Sequence, residues 1–271
     1  KINYQNWGYD NYYGLIDMYK YDDDRYMLDR ELILNEEYMN LMFPENEKFV
    51  NYIITYSAHL PFTNTKGVCK MLYDLDNEGK ENIEFVEMTE EECARRQAKE
   101  TDYMVELLTL KLKEKKLLDD TVFVVFSDHY LYTLEDQTIL DKYKTTKNNL
   151  INKTPFFIYD GGKTKTEIKK VTSQLNILPT VLNLYGFNYN SNHYIGTDAL
   201  NKSYSGIVFF SDYSWYNGKV YVDGGIVTND KYIDPLELDD KNYYINYIIR
   251  KNDLTLKYNY FKTIKSKNKT I

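Results

Sequence analysis

The sequence predicts an α/β protein, with a mainly parallel sheet flanked by helices and a smaller antiparallel β element near its C-terminal end. Three short apolar runs are typical of buried strands, at 49–56, 121–128 and 154–160. A long helical pattern separates the first two runs, and a strand, helix and strand with a compact return predict a parallel pair. After residue 205 the pattern changes to alternating strands around a tight turn, which predicts the antiparallel element.

The longest predicted helix lies between the first two strands, at 89–118. Thr89 is a candidate N-cap, glutamates follow in the first turn and lysines occupy the last turn, which complements the helix dipole. Apolar side chains recur at the spacing of one amphipathic face. We expect that face to comprise Tyr103, Leu107 and Leu110, with Met104 and Leu108 beside them.

Two more helices are predicted after the third strand. Residues 171–186 predict a helix that tolerates Pro179 early and ends at Gly186. Residues 243–264 predict a terminal helix that runs into a basic tail.

A hairpin is predicted between these two helices. Asn217-Gly218 separates two alternating runs within 206–225, and this dipeptide in that setting is the strongest short-range hairpin signal. We therefore expect residues 1–205 to form the α/β domain. Residues 206–271 are expected to form an antiparallel hairpin plus a terminal helix appended to the same domain.

Composition and charge narrow the classes of function. The chain has 271 residues, of which 43% are hydrophobic and 28% charged, as in soluble globular proteins. No run approaches the roughly 18 consecutive apolar residues of a membrane span. The net charge of −7 argues against a nucleic-acid partner, but not against phosphate substrates, because a bound cation reverses the local field. Since the sequence begins without Met, we expect a piece of a longer protein.

Several short patterns indicate structure rather than chemistry. Cys69 and Cys93 are too few for a disulfide scaffold and lack CxxC spacing, which favours unpaired thiols while leaving a disulfide open. The acidic run at 22–24 lacks calcium-loop spacing and predicts a solvated turn. Gly161-Gly162 predicts a turn rather than a phosphate cradle, and His193 lies among loop formers, which predicts a surface residue.

The candidate chemistry lies where two of the predicted strands end. His59 follows the first strand, and Asp128 and His129 end the second, at the edge where ligands of parallel sheets gather. A carboxylate oxygen and an imidazole nitrogen suit Mn²⁺, Mg²⁺ or Zn²⁺. Neighbours in a continuing strand point to opposite faces, so Asp128 and His129 share an ion only if the chain bends. A strand that simply turns at the surface is the alternative.

Motif order along the chain is more specific than any single motif. The ordered set is "GYDNYY" (8–13), "SAHLPF" (57–62), "SDHY" (127–130), "TPFFIYDGG" (154–162), "QLNILPT" (174–180) and "IGTDAL" (195–200). It resembles the sulfatase-like branch of the alkaline phosphatase superfamily, and within it the extracellular domain of lipoteichoic acid synthase-type phosphoglycerol transferases, over roughly residues 7–225. The resemblance implies an alkaline phosphatase-like fold.

The resemblance also implies roles for the three candidate residues. Asp128 and His129 match the pair that ligates one catalytic divalent ion, for which Mn²⁺ is expected first and Mg²⁺ or Zn²⁺ are alternatives. His59 matches a histidine that contacts the phosphate or glycerol part of the substrate.

The sequence also departs from the family pattern at particular residues. The family's nucleophilic Thr, its Glu metal ligand and an Arg-containing substrate motif precede "GYDNYY" and have no counterpart here, so no catalytic nucleophile is assigned in this chain. Thr55 and Ser57 lie near His59, but nothing in the sequence marks either as an activated nucleophile. Asn176 stands where the family has Asp, which indicates a structural position.

The implied function is that of part of a metal-dependent phosphoglycerol transferase, acting through a phospho-enzyme intermediate on a phospholipid head group or another phosphate ester. The expected location is the extracellular face of a bacterial membrane, with an N-terminal segment and transmembrane anchor of the same protein outside this sequence. The fragment alone is expected to be inactive. The alternatives are a sulfatase or phosphoethanolamine transferase of the same superfamily, or a non-catalytic envelope-binding domain.

Overall fold

Helices and short strands follow one another along the chain. The computed structural model describes residues 2–18, 26–44, 47–142, 144, 153–161 and 165–267, so the acidic run at 22–24 and Gly162 lie outside the described residues. The α-helices are α1 Ile2–Asn6, α2 Leu15–Met18, α3 Asp29–Leu34, α4 Glu36–Met42, α5 Gly67–Asn77, α6 Glu90–Glu114, α7 Thr138–Asp141, α8 Ile177–Leu184, α9 Pro235–Lys257 and α10 Tyr260–Lys267. The strands are β1 Phe123–Phe126, β2 Phe156–Tyr159, β3 Val208–Phe209, β4 Trp215–Tyr216, β5 Tyr221–Asp223 and β6 Ile226–Val227.

The chain divides into two compact units. The first comprises Lys1–Phe123, Leu131–Ile139 and Ile158–Gly162, and the second comprises Val124–Tyr130, Leu140–Phe157 and Lys163–Ile271. The boundary expected after residue 205 stays a prediction.

Helix α6 confirms the predicted helix and its N-cap. The Thr89 hydroxyl accepts the backbone N–H of Glu92 at 3.2 Å, and the Glu92 carboxylate accepts the backbone N–H of Thr89 at 2.8 Å, which forms a capping box. The predicted apolar face is wrong by about one position, because Tyr103 and Leu110 are 38% and 49% exposed. The buried face, which packs against α3 and α5, comprises Cys93, Ala94, Gln97, Glu100, Met104, Leu108 and Leu112.

The core of the first unit forms between α3, α4 and α6. Its buried members are Ile33, Met39, Phe43, Met104, Leu108 and Leu112. The strand predicted at 49–56 is wrong, because this segment forms no strand. Phe49 and Ile53 pack against the core while Val50 and Ile54 are 79% and 64% exposed. The alternation that predicts a strand is present, but this segment has no strand to which it pairs.

The other two predicted strands are confirmed in shorter form. Strands β1 and β2 are hydrogen-bonded neighbours in a two-stranded sheet. Together with the helices along the chain, these strands confirm a class of mixed helix and sheet. The wider parallel sheet stays a prediction.

The second unit contains the predicted antiparallel element. Strands β3, β4, β5 and β6 form one sheet in that order, paired antiparallel throughout. Asn217-Gly218 connects β4 to β5 as predicted: Gly218 has φ 89°, and the Asn217 side chain accepts the backbone N–H groups of Lys219 and Val220. This sheet packs its buried side on α9 through Trp215, Val222, Ile245 and Ile249.

Two predicted helices differ in their boundaries. The segment 171–186 contains a 3-10 turn at Gln174–Asn176 and then α8, and Gly186 follows with φ 69°, which confirms the predicted end. The terminal helix predicted at 243–264 begins earlier, where Asp234 caps α9 and Pro235 occupies the first turn. It is also interrupted at Asn259, whose φ of 47° separates α9 from α10.

Candidate functional site

Asp128 and His129 lie at a bend directly after strand β1. The Asp128 carboxylate accepts the backbone N–H of His129 at 2.8 Å. Its second oxygen lies 3.5 Å from His129 Nε2. The His129 Nδ1 lies 2.8 Å from the carbonyl oxygen of Tyr130. Because β1 ends before Asp128, the chain bends there, and the side chains of Asp128 and His129 lie on the same side and not on opposite faces of a strand.

The converging pair fits part of a divalent-ion site. One carboxylate oxygen and one imidazole nitrogen lie together, and the two side chains are 76% and 43% exposed. Such an oxygen and nitrogen pair suits Mn²⁺ or Zn²⁺. Among the described residues, no group of three or more His, Cys, Asp or Glu side chains is arranged to hold a metal ion. The described chain thus provides two donors, and a complete site needs more.

His59 lies in an exposed turn that precedes helix α5. Its backbone N–H donates to the carbonyl oxygen of Tyr56 at 2.9 Å, and its ring stacks on the Tyr56 ring at 5.9 Å between centroids. The His59 Nδ1 lies 3.2 Å from the carbonyl oxygen of Leu60. His59 belongs to the first unit, whereas Asp128 and His129 belong to the second.

A buried polar network holds the backbone around His59. The amide of Gln97 on α6 donates to the carbonyl oxygens of Ser57 at 2.9 Å and His59 at 2.6 Å. The carboxylate of Asp29 on α3 accepts the backbone N–H groups of Tyr56 and Ser57, and the hydroxyl of Thr101. Gln97 is fully buried and Asp29 is 8% exposed, so α3 and α6 fix the turn from beneath.

No motif in the sequence predicts this network. Asp29 and Gln97 are separated from Ser57 by 28 and 40 positions, and neither stands in a recognisable motif. The available signal was a polar residue on the buried face of each helix, Asp29 on α3 and Gln97 on α6. Buried polar groups need hydrogen-bond partners, so each of these residues indicates a contact with another segment.

Ser57 is a structural residue in this arrangement. Its side chain is buried, and its Oγ accepts the backbone N–H of Asp29 at 2.8 Å. A hydroxyl held in this way is shielded from an incoming substrate.

Asn176 has the structural role that the sequence predicts. It is 4% exposed, its side-chain oxygen accepts the backbone N–H of Ser173, and its side-chain nitrogen donates to the carbonyl oxygen of Thr197. The hydroxyl of Tyr204 also contacts Asn176 and donates to the carbonyl oxygen of Val171. Burial raises the pKa of Tyr204 to about 12.

Cys69 and Cys93 form a disulfide, which corrects the expectation of unpaired thiols. Both residues are fully buried, and the bond joins α5 to α6 across a sequence separation of 24 residues. The absence of CxxC spacing does not exclude this bond, because a single disulfide between two packed helices requires only that the two cysteines lie close together.

Two other predicted features agree with the structure. His193 is exposed and its ring meets the edge of Phe261, as expected for a surface residue. Gly161 has φ 76°, and a Cβ there would lie 2.9 Å from the carbonyl oxygen of Asp119, so a turn with a close backbone approach requires glycine.

Comparison with known proteins identifies a matching family and two similar proteins. The sulfatase family matches residues 1–187. Lipoteichoic acid synthase of Staphylococcus saprophyticus is 26% identical over 234 residues, which cover 80% of this chain and 34% of that protein. Lipoteichoic acid synthase of Staphylococcus aureus strain USA300 has the same identity and coverage. The chain therefore spans about a third of the length of these relatives. None of the described helices is long and apolar enough for a membrane crossing.

Proposed function

We propose, because the chain belongs to the sulfatase family, that it forms part of a metal-dependent phosphoglycerol transferase. Such an enzyme moves glycerol phosphate from a lipid donor to a cell-envelope acceptor. The similarity to two lipoteichoic acid synthases supports this substrate class over sulfate esters. The observation that carries the proposal is the convergence of Asp128 and His129 at the bend after β1.

Asp128 and His129 would hold the divalent ion, with Mn²⁺ as the first candidate and Mg²⁺ or Zn²⁺ as alternatives. A bound divalent ion lowers the pKa of a nucleophile and neutralises charge on phosphoryl oxygens. The exposed side chains of both residues leave space for the further ligands that the proposal assigns to another part of the protein.

His59 would contact the substrate phosphate. Its ring is exposed, while Gln97 and Asp29 fix the backbone beneath it. An imidazole N–H held in a fixed place donates to a phosphate oxygen with little loss of conformational entropy on binding. The two donors from Gln97 thus contribute to substrate positioning through the backbone of His59.

The nucleophile is proposed to be a threonine outside this chain. Its oxygen would form a bond to phosphorus as the bond to the lipid leaving group breaks, and an acceptor hydroxyl would then displace the threonine oxygen. The burial and hydrogen bonding of Ser57 support this assignment over a nucleophile beside His59. The fragment alone would then be inactive.

The proposed location is the outer face of a bacterial membrane. The Cys69–Cys93 disulfide supports it, because disulfides persist in oxidising compartments. We also propose that β1 and β2 belong to the parallel sheet of an alkaline phosphatase-like fold.

Ligand titration followed by NMR tests the substrate class. Glycerol 1-phosphate is expected to shift the His59 ring signals and the backbone amide signals beside them. His59→Ala should abolish the amide response, while His193→Ala, at an exposed histidine of the second unit, should preserve it. A response to inorganic sulfate but not to glycerol phosphate would favour a sulfatase instead. If neither anion shifts His59, the proposed substrate role of this residue is wrong.

A further inference from the structure

Positive charge is concentrated at the C-terminal end of the chain. Residues 250–271 contain seven of the 34 basic residues and one of the 41 acidic residues, within a chain of net charge −7. Side-chain burial is described for residues 250–264 of this stretch, which cover the end of α9 and most of α10, and we name these residues the terminal corner. Its basic side chains are exposed: Arg250, Lys251, Lys257 and Lys262.

Apolar side chains are exposed between these basic residues. Leu256 and Tyr258 are 70% and 66% exposed, at the point where α9 ends. Three more apolar or aromatic side chains of the terminal corner are exposed by at least two fifths: Leu254, Tyr260 and Phe261. The turn at Asn259 places α10 directly after this group. Exposed apolar side chains that lie close together and are flanked by polar residues mark interaction surfaces.

We propose that the terminal corner docks on an anionic phospholipid surface. Segments that lie on membranes combine lysines, which are attracted to anionic head groups, with leucine and aromatic side chains that enter the interface. A soluble polyanion would account for the lysines but leave Leu256 and Tyr258 in water. The inference depends on the proposed outward-facing location. It does not depend on metal binding or on phosphoryl transfer.

Vesicle sedimentation tests this docking. The chain is expected to bind vesicles of equimolar phosphatidylglycerol and phosphatidylcholine, to bind pure phosphatidylcholine vesicles far more weakly, and to dissociate as salt is raised. Lys257→Glu with Lys262→Glu should lower the partition coefficient at least about tenfold. The matched control, Lys99→Glu with Lys169→Glu, makes the same charge change at exposed positions elsewhere and should retain binding.

Apolar contact is tested separately. Leu256→Ser with Tyr258→Ser should also weaken vesicle binding, while leaving any binding to soluble polyphosphate unchanged. Circular dichroism checks that each variant keeps its helices. The salt dependence is measured on the unmodified chain, so it tests the proposal even if a variant fails to fold. Equal binding to neutral vesicles, equal loss in the control, or full binding by the serine variant would each overturn the proposal. If the unmodified chain binds no vesicles while glycerol phosphate still shifts the His59 signals, this inference alone is wrong.

Discussion

Gln97 is the residue through which a buried helix face reaches the exposed turn of His59. Its amide nitrogen satisfies two backbone carbonyls, whereas its side-chain oxygen has no hydrogen-bond partner among the described residues. A buried polar atom without a partner costs stability, and such a cost is retained where a residue does something that an apolar side chain cannot. Here that task is to hold the carbonyl groups of Ser57 and His59.

Substituting Gln97 tests this role. Gln97→Leu removes both donors and leaves two carbonyl oxygens without them, so we expect the free energy of unfolding to fall by about 1–3 kcal/mol. Amide hydrogen exchange around His59 should also become faster. Urea denaturation and hydrogen exchange measure the two effects. Gln5→Leu, the same change at an exposed position of α1, should stay within about 0.5 kcal/mol. Equal effects of the two variants would contradict the assigned role.

Tyr204 offers a test of burial in the second unit. Burial raises its pKa to about 12 from its ordinary value of 10.0. Because the folded pKa lies above the unfolded one, the contribution of Tyr204 to stability is complete below pH 10 and is lost as the pH rises toward about 12.

Tyr204→Phe should therefore lower the free energy of unfolding by about 1 kcal/mol near neutral pH, where the hydroxyl donates to Val171 or Asn176. The difference from the unmodified chain should shrink between pH 10 and about 12. Urea denaturation at a series of pH values measures it, with Tyr232→Phe as an exposed control. A difference that stays constant with pH would mean that Tyr204 does not titrate as described.

Among the elements, those defined by local chemistry are the ones that the sequence predicted. Thr89 and Glu92 are three positions apart and cap α6 as a pair, and Asn217-Gly218 forms its turn with groups within three positions. The bend at Asp128 is similarly local. Such features depend on neighbours along the chain, which a sequence displays directly.

Elements that depend on distant partners escaped prediction. The run at 49–56 has the alternation of a strand, but a strand needs a neighbour to bond, and its alternation serves instead to pack Phe49 and Ile53 on the core. The Cys69–Cys93 disulfide and the contact of Gln97 with His59 depend on how α5 and α6 pack. The buried network beneath His59 therefore could not be predicted from motifs.

The disulfide should stabilise the pair of helices that frames the His59 turn. It joins residues 24 positions apart, and closing a loop of this length in the unfolded chain corresponds to about 3 kcal/mol. We expect reduction with dithiothreitol to lower the free energy of unfolding by about that amount in urea. The unreduced, denatured chain should show no free thiol. A reactive thiol in that sample, or unchanged stability after reduction, would contradict a disulfide of this kind.

At the scale of the whole molecule, the chain belongs to the sulfatase family, and its described residues bring two candidate metal donors together. The sulfatase family matches residues 1–187, while the chain spans about a third of the length of the lipoteichoic acid synthases it matches. Asp128 and His129 converge, and the described residues place no third His, Cys, Asp or Glu side chain with them in an arrangement that could hold a metal ion. We attribute this combination to a site that is completed by another part of the protein.

Manganese binding tests that claim most directly. Electron paramagnetic resonance of Mn²⁺ titrated into this chain is predicted to show weak binding without a stoichiometric end point, because two protein ligands hold a divalent ion poorly. Asp128→Ala should remove this weak binding, and Asp223→Ala, at an exposed aspartate of β5, should preserve it. Tight, stoichiometric Mn²⁺ binding that is lost in Asp128→Ala would contradict the account, because the chain would then hold a complete site by itself.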